Sequence, residues 1–176
     1  MAHYKVILTL AFVFSASGLL LNSTPELREY EDCPIPYHNV GGRCLYFNNM
    51  GFGTWQYMRE ACYSIYGEIV KIDSPNFFFD IVQFLQNQSF AEEIYWIGAT
   101  DVATEGVWLW SDNSTVQMGT PFWGTKDSYG TTQEPDGNDR YNCAAIDKSR
   151  FYYFADYRCD DEAFSVICEY AGQGKI

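Results

Sequence analysis

The sequence predicts a single domain of mixed α+β class. Three observations predict it. Two stretches carry apolar residues at helical spacing, five short runs rich in β-formers stand around them, and a long polar segment interrupts the strand-rich second half. Apolar residues make up 47% of the 176-residue chain and aromatics 18%, enough for a packed core and unlike a disordered chain.

Taken in order, the chain opens on MAHYKVILTLAFVFSASG, with Lys5 early, an apolar run from Val6 to Phe14 and small residues from Ser15 to Gly18. That layout predicts a signal peptide over 1–18. The run is shorter than the ~20 residues that span a bilayer comfortably, which leaves an uncleaved anchor as the lesser alternative, and no later stretch is long and apolar enough. The expectation is a secreted protein without membrane insertion. Residues 19–32 read as a polar connector, 33–170 as the domain and 171–176 as a short tail.

Leu45-Tyr46-Phe47 is the first strand-like run. Thr54 is the N-cap of a helix whose inner residues are Trp55, Met58, Ala61, Cys62 and Ile65. A second helix opens at Ser74 with Pro75 in its first turn and Phe78, Ile81, Val82 and Leu85 as its inner stripe. Further strands are expected at Tyr95–Ile97, Val107–Trp110, Cys143–Ile146 and Ser165–Tyr170. Trp55, Trp96, Trp108 and Trp110 are assigned to the core. Between Ser111 and Asn142 the chain is dense in Gly, Thr, Asp, Asn and Pro, yet contains Phe122-Trp123. A loop of that length reads as ordered and functional.

The formal charge is −12, and loss of residues 1–18 would make it one unit more negative, because Lys5 is the only charged residue there. Such a surface repels nucleic acid and anionic lipid and suits divalent cations. Cys33, Cys44, Cys62, Cys143, Cys159 and Cys168 form an even set behind an export signal, which favours disulfides. Zinc is disfavoured: no CxxC occurs, and the histidines are His3 and His38 alone. Spacing does not choose among the cysteine pairings. Asn22, Asn87 and Asn113 head glycosylation sequons, with Pro25 discouraging the first.

One stretch stands apart, QEPDGNDRYNC at 133–143. Its paired acids, Glu134 and Asp136, could suggest a glycosidase. The absence of a histidine for a nucleophilic triad and the commitment of every cysteine to disulfides point to a protein that is not an enzyme.

The ordered set of motifs resembles the C-type lectin-like domain. Trp96-Ile97-Gly98-Ala99 is similar to the family's WIGL strand, and Gly106-Val107-Trp108-Leu109-Trp110-Ser111-Asp112 to its G-x-W-x-W segment. Phe122-Trp123 then precedes Glu134-Pro135-Asp136, in the place of the family's Glu-Pro-Asn or Gln-Pro-Asp tripeptide. The resemblance covers Cys33 to Tyr170. It implies two helices flanking antiparallel sheets, a long loop region, and the disulfides Cys33–Cys44, Cys62–Cys168 and Cys143–Cys159, the first marking the form with an extra amino-terminal hairpin.

The resemblance also implies calcium as a cofactor. Calcium takes roughly six to eight oxygens. The family's principal site uses the residues flanking the proline, a Glu two before the next cysteine, and the Asn and Asp of a Trp-Asn-Asp triplet. Glu134, Asp136 and Asp156 match. Tyr141 stands where the Glu belongs, and Phe154-Ala155-Asp156 replaces the triplet, so Ala155 removes the Asn. Asp136 and Ala155 together remove both amide donors of the usual sugar site, because carboxylates only accept hydrogen bonds. Asn138, Asn142 and Arg140 are the candidate replacements, and Asp139 the candidate for the missing acid. An auxiliary ion that braces the loop would use Asp101, Glu105 and Asn142, although Gly137 stands where a further Asp is common.

The function the resemblance implies is carbohydrate recognition through Glu134, Asp136, Tyr141 and Asp156, directed at microbial surface glycans in innate immunity. The build looks like that of invertebrate humoral lectins. Tyr141, Tyr129 and Phe154 are the aromatics placed to stack on a sugar. Single sites of this kind bind with roughly millimolar affinity, so oligomers are expected to supply avidity. The competing expectation is a lectin-like fold that binds protein or another non-sugar ligand without calcium.

Overall fold

Both expected helices form, and each starts at its predicted cap. In the computed structural model, which describes residues 33–48, 51–90, 93–126 and 130–172, α1 spans Trp55–Ser64 and α2 spans Pro75–Asn87. The expected signal peptide, the connector, Asn22, Tyr129 and most of the tail lie outside the described residues. Thr54 accepts a hydrogen bond from the Tyr57 N–H and Ser74 one from the Phe77 N–H, each at 3.2 Å. Each cap satisfies a backbone donor that the first turn leaves unpaired.

α1 buries Trp55, Met58 and Cys62. α2 buries Phe77, Phe78, Ile81 and Leu85, while Val82 is only partly buried. The expected stripe is therefore shifted toward Phe77, because the Arg43 guanidinium lies over that ring at 4.0 Å and closes its outer side.

Among the described residues eight strands follow in chain order: β1 (His38–Val40), β2 (Arg43–Phe47), β3 (Gly67–Ile69), β4 (Ile94–Thr100), β5 (Leu109–Trp110), β6 (Cys143–Asp147), β7 (Tyr153–Tyr157) and β8 (Ser165–Tyr170). They pair in the order β1-β2-β8-β4-β6-β7, with β3 on β8 and β5 on β4. All these pairings are antiparallel except β4 with β8. The three-residue strands β1 and β3 were not expected, since neither is long enough to carry a period of its own. β5 is shorter than expected: the Val107 N–H donates to Thr104 O at 2.9 Å, inside a turn, and its side chain is exposed.

Burial falls on both sides of the central strands. One cluster gathers Phe78, Ile81, Trp108, Trp110, Phe122, Trp123 and Phe154, and the other gathers Trp55, Met58, Trp96, Phe164 and Val166. With cover on both faces, β6 is buried at every position and is built from small or aliphatic residues until Asp147. Gly98 lies so close to the carbonyls of Ile69 and Val70 that a Cβ there would sit about 3.0–3.1 Å from them. The buried indole N–H groups find acceptors, Trp55 on Ile97 O at 2.8 Å and Trp96 on Gly53 O at 2.9 Å.

The disulfides are Cys33–Cys44, Cys62–Cys168 and Cys143–Cys159, as the resemblance implied. Cys62–Cys168 closes 106 residues, a constraint worth about 4–5 kcal/mol in the chain-entropy account. Cys143–Cys159 joins the start of β6 to the chain just beyond β7, fixing the two strands that back the acidic loop.

Candidate functional site

The polar stretch 111–142 is held to the sheet edge by its aromatics. Phe122 and Trp123 are buried, Phe154 N–H donates to Phe122 O at 2.8 Å, and Gly124 N–H donates to Phe154 O at 2.9 Å. The segment thus runs along β7. It then folds back on itself: Lys126 N–H donates to Thr132 O at 2.8 Å, Glu134 N–H donates to Gly124 O at 3.0 Å, and Thr125 pairs with Gln133. The Gln133 amide donates to the Trp123 and Gly124 carbonyls at 3.1 and 2.5 Å, locking the turn from inside. This register sets Lys126 beside the acidic tripeptide.

Glu134, Asp136 and Asp156 converge, each offering a carboxylate oxygen within 4.8 Å of the others. The Glu134–Pro135 peptide is cis. Asp156 comes from the middle of β7, where Ala144 of β6 is its partner, and accepts from the Gly137 N–H at 2.9 Å. The three acids open on a cleft of about 300 Å³ lined also by Lys126, Asn138, Tyr141, Arg150 and Tyr157. Tyr141 is 40% exposed at its edge. Phe154, by contrast, has no exposure: it packs against Phe78, Phe122 and Trp123 and is a core residue, not a stacking platform. Gly137 has no room for the acid some relatives of the motif carry, because a Cβ there would collide with the Asp156 carboxylate and with Tyr141. Asn138 lines the cleft, whereas the Asn142 amide is turned to Asp139 O at 3.2 Å.

Two basic residues that sequence reasoning missed complete the cluster. Lys126 Nζ lies 3.1 and 3.0 Å from the two Asp136 oxygens. Arg150 pairs through Nη1 with Glu134 and through Nε with Asp147 Oδ2 at 3.2 Å. Asp147, at the buried end of β6, also accepts from Ser149 N–H at 2.7 Å and from the Tyr157 hydroxyl at 2.5 Å. Burial and Asp147 push the Tyr157 phenol up, so it stays a donor. Burial pushes the Glu134 carboxyl up to about 8, with hydrogen bonding to Asp156 and the Asp156 and Asp136 charges adding to it against the pull of Arg150. Chain position does not mark them out, because Lys126, Arg140, Lys148, Arg150 and Arg158 all stand in or beside the loop and only placement in space selects two of them.

The residues expected at the auxiliary position are differently placed. Asp101 caps the turn after β4, accepting from the Gly106 N–H at 2.8 Å through Oδ2. Its Oδ1 and the Oδ1 of Asn142 are buried with no hydrogen-bond partner, and Asp101 N–H donates to Asn142 O at 3.2 Å, which makes the two residues neighbours. Burial raises the Asp101 carboxyl, and the Asp156 charge adds to it. Glu105 is exposed; desolvation and the charges of Asp101, Asp139 and Asp156 raise it. Two orphaned buried oxygens, one of them a carboxylate's, suit a hard cation. Asp101 and Asn142 therefore offer calcium two oxygens that no hydrogen bond occupies. The principal cluster has the right oxygens, but Lys126 and Arg150 already claim two of its three carboxylates, so it does not fit as it stands.

The family described as Lectin C-type domain matches residues 53–170. Human C-type lectin domain family 7 member A is 31% identical over 137 residues, covering 78% of this chain and 50% of that protein. The chain spans about half the length of several curated relatives it matches. The mouse scavenger receptor C-type lectin carbohydrate-recognition domain aligns with a TM-score of 0.60 at 25% identity, over 78% of this chain and 94% of that one. A calcium-independent type II antifreeze protein shares the fold, with a TM-score of 0.60 at 20% identity over 78% of this chain and 92% of that one.

Proposed function

The chain belongs to the C-type lectin domain family, and on that premise we propose that it is an extracellular protein that binds carbohydrate, directed at microbial surface glycans, in the cleft between Asp136, Asn138, Tyr141 and Asp156. The observation that carries the reading is the convergence of Glu134, Asp136 and Asp156 on one cleft edged by a half-exposed tyrosine. A sugar hydroxyl both donates and accepts. Asp136 and Asp156 are acceptors, and the Asn138 amide and Lys126 ammonium are donors, so the cleft can meet both needs without the amides that Asp136 and Ala155 replace. Tyr141 presents a ring for the apolar face of a pyranose. Three disulfides support an extracellular setting.

At the auxiliary position, Asp101, Glu105 and Asn142 would hold calcium, which there supplies a hard positive charge that ties the loop to β4. Asp101 anchors its own turn with or without it. Single-site affinity of this kind is weak, and self-association of the domain would raise avidity.

The test is a glycan and bacterial-surface binding screen of wild type, Asp136→Ala and Tyr141→Ala, in calcium and in chelator. Binding to a glycan class should fall at least about tenfold in both variants and should weaken, without vanishing, in chelator. Failure of the folded protein to bind any glycan overturns the reading. It would favour a protein or other non-sugar ligand instead, a second reading supported by the salt bridges that already occupy Glu134 and Asp136.

A further inference from the structure

We infer that Lys126 and Arg150 serve as side-chain cations in the place a divalent ion would take at the principal cluster, and that Lys126 is the latch that keeps calcium out. The inference concerns the same cleft as the carbohydrate reading and rests on that cleft being the site.

The hydrogen bonds around the cluster support it. Lys126 Nζ bridges both oxygens of Asp136, so neither is offered solely to the cleft. Arg150 binds Glu134 on one side and Asp147 on the other, and Asp147 is itself fixed by Ser149 and Tyr157. Asp156 is held by the Gly137 N–H. Every carboxylate of the cluster therefore has a donor, unlike the orphaned oxygens of Asp101 and Asn142. Two unit positive charges already sit among the acids of the cluster. An entering divalent ion would meet a weakened attraction and two like charges.

The two cations are not equivalent. The Arg150 side chain is 23% exposed and bound to two buried acids, and its position follows from the turn in which Phe151 and Tyr152 both take left-handed backbone angles. Moving it would strand Glu134 and Asp147. The Lys126 side chain is 57% exposed and is held by Asp136, on a flexible stem that can swing into solvent. Release of Lys126 is thus the smaller step, and it is the one that would free a complete carboxylate. The site gains its specificity against calcium from a residue ten positions before the acid it neutralises.

Calcium chloride titration by calorimetry, with no sugar present, tests this in an Asp101→Asn background that removes the auxiliary donor. Lys126→Met, which keeps the aliphatic stem, should bind calcium at least roughly fivefold more tightly than its parent. Adding Asp136→Asn should abolish the gain, and Lys126→Arg should behave as the parent does. Equal calcium affinity in the parent and Lys126→Met, with melting curves showing both folded, overturns the inference, as does a gain that survives Asp136→Asn. Because the titration contains no glycan, a negative glycan screen and a negative titration are separate outcomes.

Discussion

Two groups of oxygen donors, Glu134–Asp136–Asp156 and Asp101–Asn142, differ in what their lone pairs face. At the Glu134–Asp136–Asp156 cluster, the carboxylates meet Lys126, Arg150 and the Gly137 N–H. At the Asp101–Asn142 cluster, two buried oxygens meet nothing. The first is richer in charge and poorer in unmet demand. Counting acids would rank it as the better cation site, whereas counting unsatisfied acceptors ranks it second. A buried oxygen without a partner is costly, and a cation that coordinates it contributes binding energy that an already paired carboxylate does not release.

The most drastic way to break the contrast is to take the internal cation from the first cluster. Arg150→Ala leaves Glu134 and Asp147, with side chains 2% and 3% exposed, without their cation. It should cost about 3 kcal/mol in urea unfolding, and Arg150→Lys should recover only part of it, since one ammonium cannot fork to both acids. A loss under about 1 kcal/mol would mean that Glu134 does not depend on its pair.

Gly137→Ala comes next. The added Cβ has to displace both Tyr141 and the Asp156 carboxylate, at a cost of about 2 kcal/mol. Chemical denaturation checks it, and glycan binding should fall in parallel, because both displaced groups line the cleft.

The second cluster is sharpened by calcium itself. At a concentration about tenfold above its dissociation constant, calcium should raise the unfolding free energy by about 1.4 kcal/mol. Asp101→Asn should abolish the increase, while Asp136→Asn should leave it. The reverse pattern would place the ion at the first cluster and undo the contrast.

The smallest effect sets the scale for a lysine–carboxylate pair in water. Lys71 Nζ lies 2.7 Å from Asp112 Oδ2, and the Asp112 side chain is 54% exposed. Hydrogen bonds from Lys71 and Ser114 hold its carboxyl below the usual range. A carboxyl lowered in the folded state stabilises above its unfolded pKa, about 4, and the benefit fades as the pH falls below it. Lys71→Ala should cost about 0.5 kcal/mol at neutral pH, less in acid, with the difference read from melting curves at the two pH values.

The fold was legible wherever its signal was local or belonged to a recognisable motif. Thr54 and Ser74 announced the helices because capping is decided within one turn. The WIGA and GVWLW segments placed the central strands and the indoles of the core. The cysteine pairing came from the resemblance and is the pairing observed. β1 and β3 were invisible because three residues carry no period; β2 and β8 specify them. Phe154 was misjudged as a surface aromatic because it stands two residues before the cleft acid Asp156, while its neighbours in space are Phe78, Phe122 and Trp123.

By itself, then, the sequence determined the class of domain, the starts of its helices, its covalent ties through the resemblance, and the acids that face the cleft. Tertiary structure alone decided which charges those acids meet. Lys126 reaches Asp136 through the pairing of Thr125 with Gln133, and Arg150 reaches Glu134 across 16 positions through the turn between β6 and β7. An ion pair is set by a few ångströms in space, and the chain distance between its partners carries no trace of that separation until the strands have paired.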